Sequence, residues 1–349
     1  MVSNLFPDSS LPAAVRRPLF SVSLGGSADE WAQALVSVVV EAGLAPFADA
    51  ATLHLADAAP APDVEVGDSG AVDLGYEDDA AEPVFTGQVE EVHRSVEGRA
   101  RVAAVNGGAQ LSRLRVNQSY EQQKASDIVR DLAGRAGVDT DTVEDGADFP
   151  FYVVDDGRNA YQHIAALARK SGFLAYFTPE GKLTFAPFTA GQAVQTFTYG
   201  EDVLTLDATE VVPAVGAVTT VGEGAAGSQG QEAWSWLVKD PSAVTGSAGS
   251  GDPERLVQDA PLRSAEAAQG SAEGIVDATG RTSLTGELEV PGSPAVVVGS
   301  AVEVVDAPQD ALNGQFLVRR VRHRFSKRGG FTTLISFGRA GDGGPGGLL

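Results

Sequence analysis

Apolar residues along this chain change their spacing twice, and the changes divide it into three regions. In the first, about residues 1–116, the period is mostly two. Leu19-Phe20-Ser21-Val22-Ser23-Leu24 alternates apolar with polar positions, as a half-buried strand does, and Gly25-Gly26 then turns the chain. Ala28 to Glu41 instead places Trp31, Leu35, Val38 and Val39 along one side of a helix, with Gly43 as its stop. Thr52 to Ala56, Ala71 to Tyr76, Val84 to Ser95 and Ala100 to Val105 are strand-like runs parted by Gly, Pro or Asp, with Gly98 turning one pair and Gly107-Gly108 following the next. Short strands at that spacing predict a small β-barrel.

The second region, about 117–200, moves to a helical period. Ser126 through Ala136 sets Ile128, Val129, Leu132, Ala133 and Ala136 on one face, with Gly137 placed to cap the helix in the left-handed conformation. A second helix begins after Asn159, carries Ala160, Tyr161, Ile164, Leu167 and Ala168, and ends at Gly172. Phe173 to Phe177, the turn Thr178-Pro179-Glu180-Gly181 and Lys182 to Phe188 then read as a hairpin, giving a compact α+β unit.

The third region, 201–340, returns to strands at Val203 to Leu206, Val215 to Val221, Ser283 to Val290, Ala301 to Val305, Gln315 to Phe325 and Thr332 to Phe337, with turns at Asn313-Gly314 and Gly329-Gly330. An insertion at 222–298 interrupts it. It is rich in Gly, Ser and Ala, includes the apolar island Trp234-Ser235-Trp236-Leu237-Val238, and carries a helix over about Arg263 to Asp277. The island reads as a hairpin strand, or else as an aromatic platform of a glycan-binding module. Residues 341–349 read as a disordered tail. The fold class expected is α+β, mainly β: two barrels flanking an inserted α+β domain.

Charge narrows the function. The chain has 47 Asp and Glu against 25 Lys and Arg, a formal net charge of -22, so most of its surface would repel a phosphate backbone or an anionic membrane. The charge is also unevenly spread. No Lys or Arg occurs between Arg17 and Arg94, whereas Asp57, Asp63, Glu65, Asp68, Asp73, Glu77, Asp78, Asp79 and Glu82 share one stretch; Arg319, Arg320, Arg322, Arg324, Lys327 and Arg328 fall together near the other end. Unlike surfaces of this kind predict stacking between them. There is no cysteine, hence no disulfide frame and no thiolate metal site. No apolar run reaches the roughly 20 residues of a membrane helix, and the opening twenty residues lack the order of a signal peptide, so cytoplasmic synthesis is expected.

Candidate chemistry is sparse. His54, His93, His163 and His323 are scattered and form no ligand pattern; His323 lies in an alternating strand, the setting of a packed or hydrogen-bonded histidine. Glu90-Glu91 and Asp155-Asp156 raise the possibility of a peptidoglycan hydrolase, but neighbours on a strand point to opposite faces and do not by themselves flank a sugar bond. No catalytic, cofactor or metal site is expected. Arg320, Arg322 and Arg324 share one strand face, where they either meet acidic partners at a subunit or tube interface or form an ordinary solvated surface. Nucleic-acid contact is a third reading, opposed by the surrounding negative charge.

The order of short motifs across the three regions resembles the phage late control protein D family of tail baseplate hubs. Val66-Gly67-Asp68, Val72-Asp73-Leu74-Gly75-Tyr76 and Val84-Phe85-Thr86-Gly87-Gln88-Val89 match its first barrel. Leu167-Ala168-Arg169-Lys170-Ser171-Gly172-Phe173 and Gly181-Lys182-Leu183-Thr184-Phe185 match its central domain; Gly299-Ser300-Ala301-Val302, Leu312-Asn313-Gly314-Gln315-Phe316 and Val321-Arg322-His323-Arg324-Phe325 match its C-terminal part. The type VI secretion spike VgrG shares this hub in its N-terminal half and continues into a needle that has no counterpart here. The resemblance implies a structural role in a phage tail or contractile injection particle: a homotrimer of pseudo-six-fold symmetry, joining an inner tube or tube-initiator protein to a separate spike protein among baseplate wedge proteins.

Overall fold

A computed structural model describes residues 16–56, 62–96, 100–189, 194–222 and 244–340. Strand β1 (Pro18–Val22) forms where alternation predicts it, and Gly25 and Gly26 make the following turn with φ of 61° and 60°, a region open to glycine. Ser27 then caps α1 (Ala28–Ala34): its hydroxyl accepts from the Glu30 amide at 3.4 Å, while the Glu30 carboxylate accepts from the Ser27 amide at 2.8 Å.

The helix expected to reach Glu41 stops at Ala34. Leu35–Gly43 is instead the strand β2, with Leu35, Val38 and Val40 buried. Val36, Val38, Val39 and Val40 favour extended backbone through their branched Cβ, and ladders on both sides of β2 then fix it as a strand. Trp31 keeps the buried position its helical spacing predicts, with Nε1 donating to the Gly25 carbonyl at 2.8 Å.

Strands β3 (Ala50–Leu55), β4 (Ser69–Tyr76), β5 (Glu82–Arg94) and β6 (Ala100–Val105) follow, and then helix α2 (Gly107–Arg113), capped by Asn106. Gly98 lies outside the described residues. The central unit runs β7 (Gln118–Lys124), α3 (Ala125–Arg135), β8 (Thr140–Val143), β9 (Asp148–Val154), α4 (Ala160–Ser171), β10 (Phe173–Phe177) and β11 (Leu183–Pro187). Both helices lie where their apolar faces predict. Asn159 and Gln162 cap α4 reciprocally, and Gly172 ends it at φ 69°.

The remainder is β12 (Gln195–Thr198), β13 (Thr205–Glu210), β14 (Ala217–Val221), β15 (Thr245–Gly249), β16 (Glu254–Gln258), α5 (Ala265–Arg281), β17 (Leu284–Pro291), β18 (Ala301–Val305), β19 (Gly314–Ser326) and β20 (Gly330–Arg339). Within the 222–298 stretch, β15 and β16 flank β14 in a small sheet covered by α5, whereas β17 belongs to the main sheet. Trp234 to Val238 and residues 341–349 lie outside the described residues.

Twelve of the described strands form one sheet. Its path is β1-β4-β5-β6-β3-β2-β19-β20-β17-β13, with β18 on β19 and β12 on β18. The junction is the antiparallel pair β2–β19, from Arg320 opposite Gly43 to Ser326 opposite Ser37. One core gathers Trp31, Leu53, Leu74 and Phe85 with Phe325 and Phe331. Around it the sheet curls until Phe20 on β1 packs on Phe325, ring centres 4.9 Å apart. A second core gathers Leu288, Val302, Phe316, Ile335 and Phe337. Strands β19 and β20 therefore serve both. A third core fills the central unit and takes in Leu262, just before α5, with Ala267 and Ala268 from its first turn. The fold is mainly β, with five α-helices among the described residues.

Candidate assembly interface

Strand β19 carries Arg320, Arg322 and Arg324 on its exposed face, while Val321, His323 and Phe325 are buried behind them. Each arginine has a different neighbourhood. Arg322 donates from Nε and Nη2 to Glu41 Oε1 at 2.8 and 2.6 Å. Arg320 stacks over the Phe47 ring, 4.6 Å from its centroid. Arg324 lies opposite Val39 and Thr332 and has no ion pair among the described residues.

A bulge adds a fourth arginine. Val318 pairs with Phe337 and Arg320 with Ser336, so Arg319 is the extra residue between them. Bulges break side-chain alternation and re-aim residues, and here adjacent Arg319 and Arg320 both line one cleft. The cleft has a volume of ≈ 720 Å³ and lies between the ends of α4 and α5, the start of β10, and strands β13, β17, β19 and β20. Arg169 from the last turn of α4 and Arg281 from the end of α5 also line it, as do Glu287 and Asp207, which continue the cross-strand row from Arg320 through Ser336. Arg281 is partly buried, which lowers its pKa, and its nearest carboxylate contact is Asp277 at 3.9 Å.

Close backbone packing shapes the cleft. A Cβ on Gly274 would lie 2.7 Å from Gly172 Cα, so α5 crosses the end of α4 where both residues lack a side chain. A Cβ on Gly43 would lie 2.9 Å from the Phe47 ring that supports Arg320. Sequence reading missed Arg169 and Arg281; their one signal is a basic residue in a last helical turn, which complements the helix dipole anywhere.

The histidines have structural settings. His54 and His93 are exposed. His163 donates from Nε2 to the Asp155 carbonyl at 2.9 Å. His323 is buried and bonded through Nδ1 to Thr333 Oγ1 at 3.0 Å, and burial lowers its pKa to about 4, keeping it neutral. Among the described residues no group of three or more His, Cys, Asp or Glu could hold a metal ion.

The paired carboxylates are engaged separately. A bulge between Val89 and Glu91 leaves both Glu90 and Glu91 exposed, contrary to simple alternation, but Glu90 pairs with Arg113 and Glu91 with Arg101. Asp155 accepts from the Gly157 amide at 2.9 Å. No helix among the described residues is long and apolar enough to cross a membrane.

The described residues thus form one sheet spanning two cores, a helical unit set into the chain, and an arginine-lined cleft. Residues 50–329 match the family model described as phage tail baseplate hub (GPD), and the chain belongs to that family. A 43 kDa tail protein of prophage MuSo2 from Shewanella oneidensis has a similar fold, with 14% identity, a TM-score of 0.68, and coverage of 93% of this chain and 98% of that one. A tail protein from Neisseria meningitidis is similar at 14% identity and TM-score 0.69, covering 94% and 100%. An Escherichia coli type VI secretion component is similar at 12% identity and TM-score 0.58, covering 91% and 76%. No curated protein sequence matches the chain.

Proposed function

We propose that this hub protein works as a homotrimer that joins a six-fold inner tube to a three-fold spike supplied by a separate protein, in contact with baseplate wedge proteins. Residues 1–116 and 201–340 would supply two tube-like barrel domains per copy, and 117–200 the domain inserted between them. Three copies then present six units to the tube while keeping three-fold symmetry towards the spike.

The observation that carries this reading is the sharing of β19. Its N-terminal half pairs with β18 in one core, and its C-terminal half pairs with β2, with Phe325 in the other. Two sheet units fused through a common strand move as one body, as a part that transmits force must. Among the described residues strands β1 and β13 each pair on one side only, and an unpaired edge favours partners. The role involves no bond chemistry in this chain.

Light scattering of the purified protein across a dilution series, with and without its spike protein, tests the reading. A trimer, alone or with the spike, is the expected result. A protein that stays monomeric in both conditions overturns it.

A further inference from the structure

We infer that the arginine cleft receives the acidic β4–β5 turn of a neighbouring copy, a contact that rests on the homotrimer reading and specifies one of its interfaces. The cleft is unusual for this chain. In a molecule of net charge -22, Arg169, Arg281, Arg319 and Arg320 converge on one opening, and among the described residues Arg169, Arg319 and Arg320 have no ion pair. Guanidinium groups are planar forks that match carboxylates, and several facing one space favour a ligand carrying more than one acid.

Asp207 and Glu287, three and two strands from Arg320 along the same row of the sheet, make the cleft mixed in sign. A nucleic acid, with a charge at every phosphate, would meet them repeatedly. A polypeptide turn, whose acids occupy only some positions, can avoid them. The small residues around the rim, such as Ala45, Gly172 and Ala278, leave room for backbone to approach, and ≈ 720 Å³ falls within the size range of sites that enclose a compact ligand.

The chain carries a matching piece. Between Tyr76 and Glu82 it turns through Glu77, Asp78 and Asp79, all exposed. Glu77 pairs with Arg17 at 2.8 Å and Asp79 with Arg16, which tie down the base of the turn. Asp78 and Glu82 have no ion pair among the described residues and are free to face outward. The turn cannot fill the cleft of its own chain. Tyr76 packs near Phe331 at the start of β20, ring centres 5.9 Å apart, whereas the cleft lies by Ser336 and Phe337, six residues on or about 20 Å along an extended strand. A contact between different patches of two copies is heterologous and closes into a ring when its rotation permits, as three-fold assembly requires.

Sedimentation equilibrium of the full chain in 50 mM and 500 mM salt tests this, using wild type, R319E/R320E, D78K/E82K and the variant combining all four changes. Thermal unfolding of each variant reports whether it is folded, and the turn variant alters no residue of the buried cores. Each pair of reversals is expected to weaken association by about tenfold or more, and the combined variant to recover most of that loss. High salt should weaken the wild type as well. Reversals that leave association unchanged, or a combined variant no better than either parent, overturn the inference while a trimeric hub stands. A wild type that never associates overturns both.

Discussion

Arg322 on β19 and Glu41 on β2 are 281 positions apart in the chain and directly opposite in the sheet, with Nε and Nη2 both donating to Oε1. The pair sits on the ladder that joins the two halves of the molecule. Its side chains are 49% and 33% exposed, so solvent screens the attraction. A double-mutant cycle with Arg322→Ala and Glu41→Ala, read by urea unfolding, should give a coupling of about 0.2–1 kcal/mol. A coupling of several kcal/mol would show that this pair, and not the hydrogen-bond ladder and the cores beneath it, holds the halves together.

Asp49 should make stability depend on pH. It is buried beside Asn106, accepting from the Gly43 amide at 2.9 Å and from Asn106 Nδ2 at 2.8 Å, and burial raises its pKa from 3.8 to about 8. The folded protein therefore retains a proton that the unfolded chain releases near pH 4. The stability this proton confers is full below about pH 4 and is lost as pH rises towards 8. Asn at this position does not titrate. The stability of wild type relative to Asp49→Asn, measured in urea from pH 4 to pH 9, should fall between pH 4 and 8 and then level off. A constant difference would mean that Asp49 is ionised in the folded state.

Gly274 and Gly270 lie one turn apart on α5 and should respond oppositely to substitution. A side chain at Gly274 meets the backbone of Gly172, and Gly274→Val should cost about 1–3 kcal/mol by forcing α5 off α4. Gly270 has nothing among the described residues within 4 Å of where its Cβ would be, so Gly270→Ala should stabilise by about 0.5–1 kcal/mol through helix propensity. Chemical unfolding of the two variants checks both. Equal effects would mean that the Gly172–Gly274 contact does not position the helix.

Local chemistry made much of the fold legible. Helices α3 and α4 lie where their apolar faces and terminal glycines place them, because caps and periodicity act within a few residues. Strands β18, β19 and β20 likewise follow alternation and the Asn313-Gly314 and Gly329-Gly330 turns. Strand β7 was not legible: Gln118–Lys124 is polar, with Tyr120 its one buried residue, and it is extended because it pairs with β9. Residues 35–43 were ambiguous. Trp31, Leu35 and Val38 fit a helical face, yet Leu35, Val38 and Val40 end up buried in a strand with partners on both sides.

The sequence by itself determined the mainly β character, the helical unit in the middle, the concentration of arginines near one end, and the ordered motifs of a baseplate hub. All of these are local or compositional. Only the tertiary structure decided that β2 pairs with β19, that one sheet spans two cores, and that Arg169 and Arg281 join Arg319 and Arg320 around a single cleft. Strand pairing and side-chain convergence depend on loop closure and core packing between residues far apart in the chain, and no local pattern records which partner a strand edge will choose.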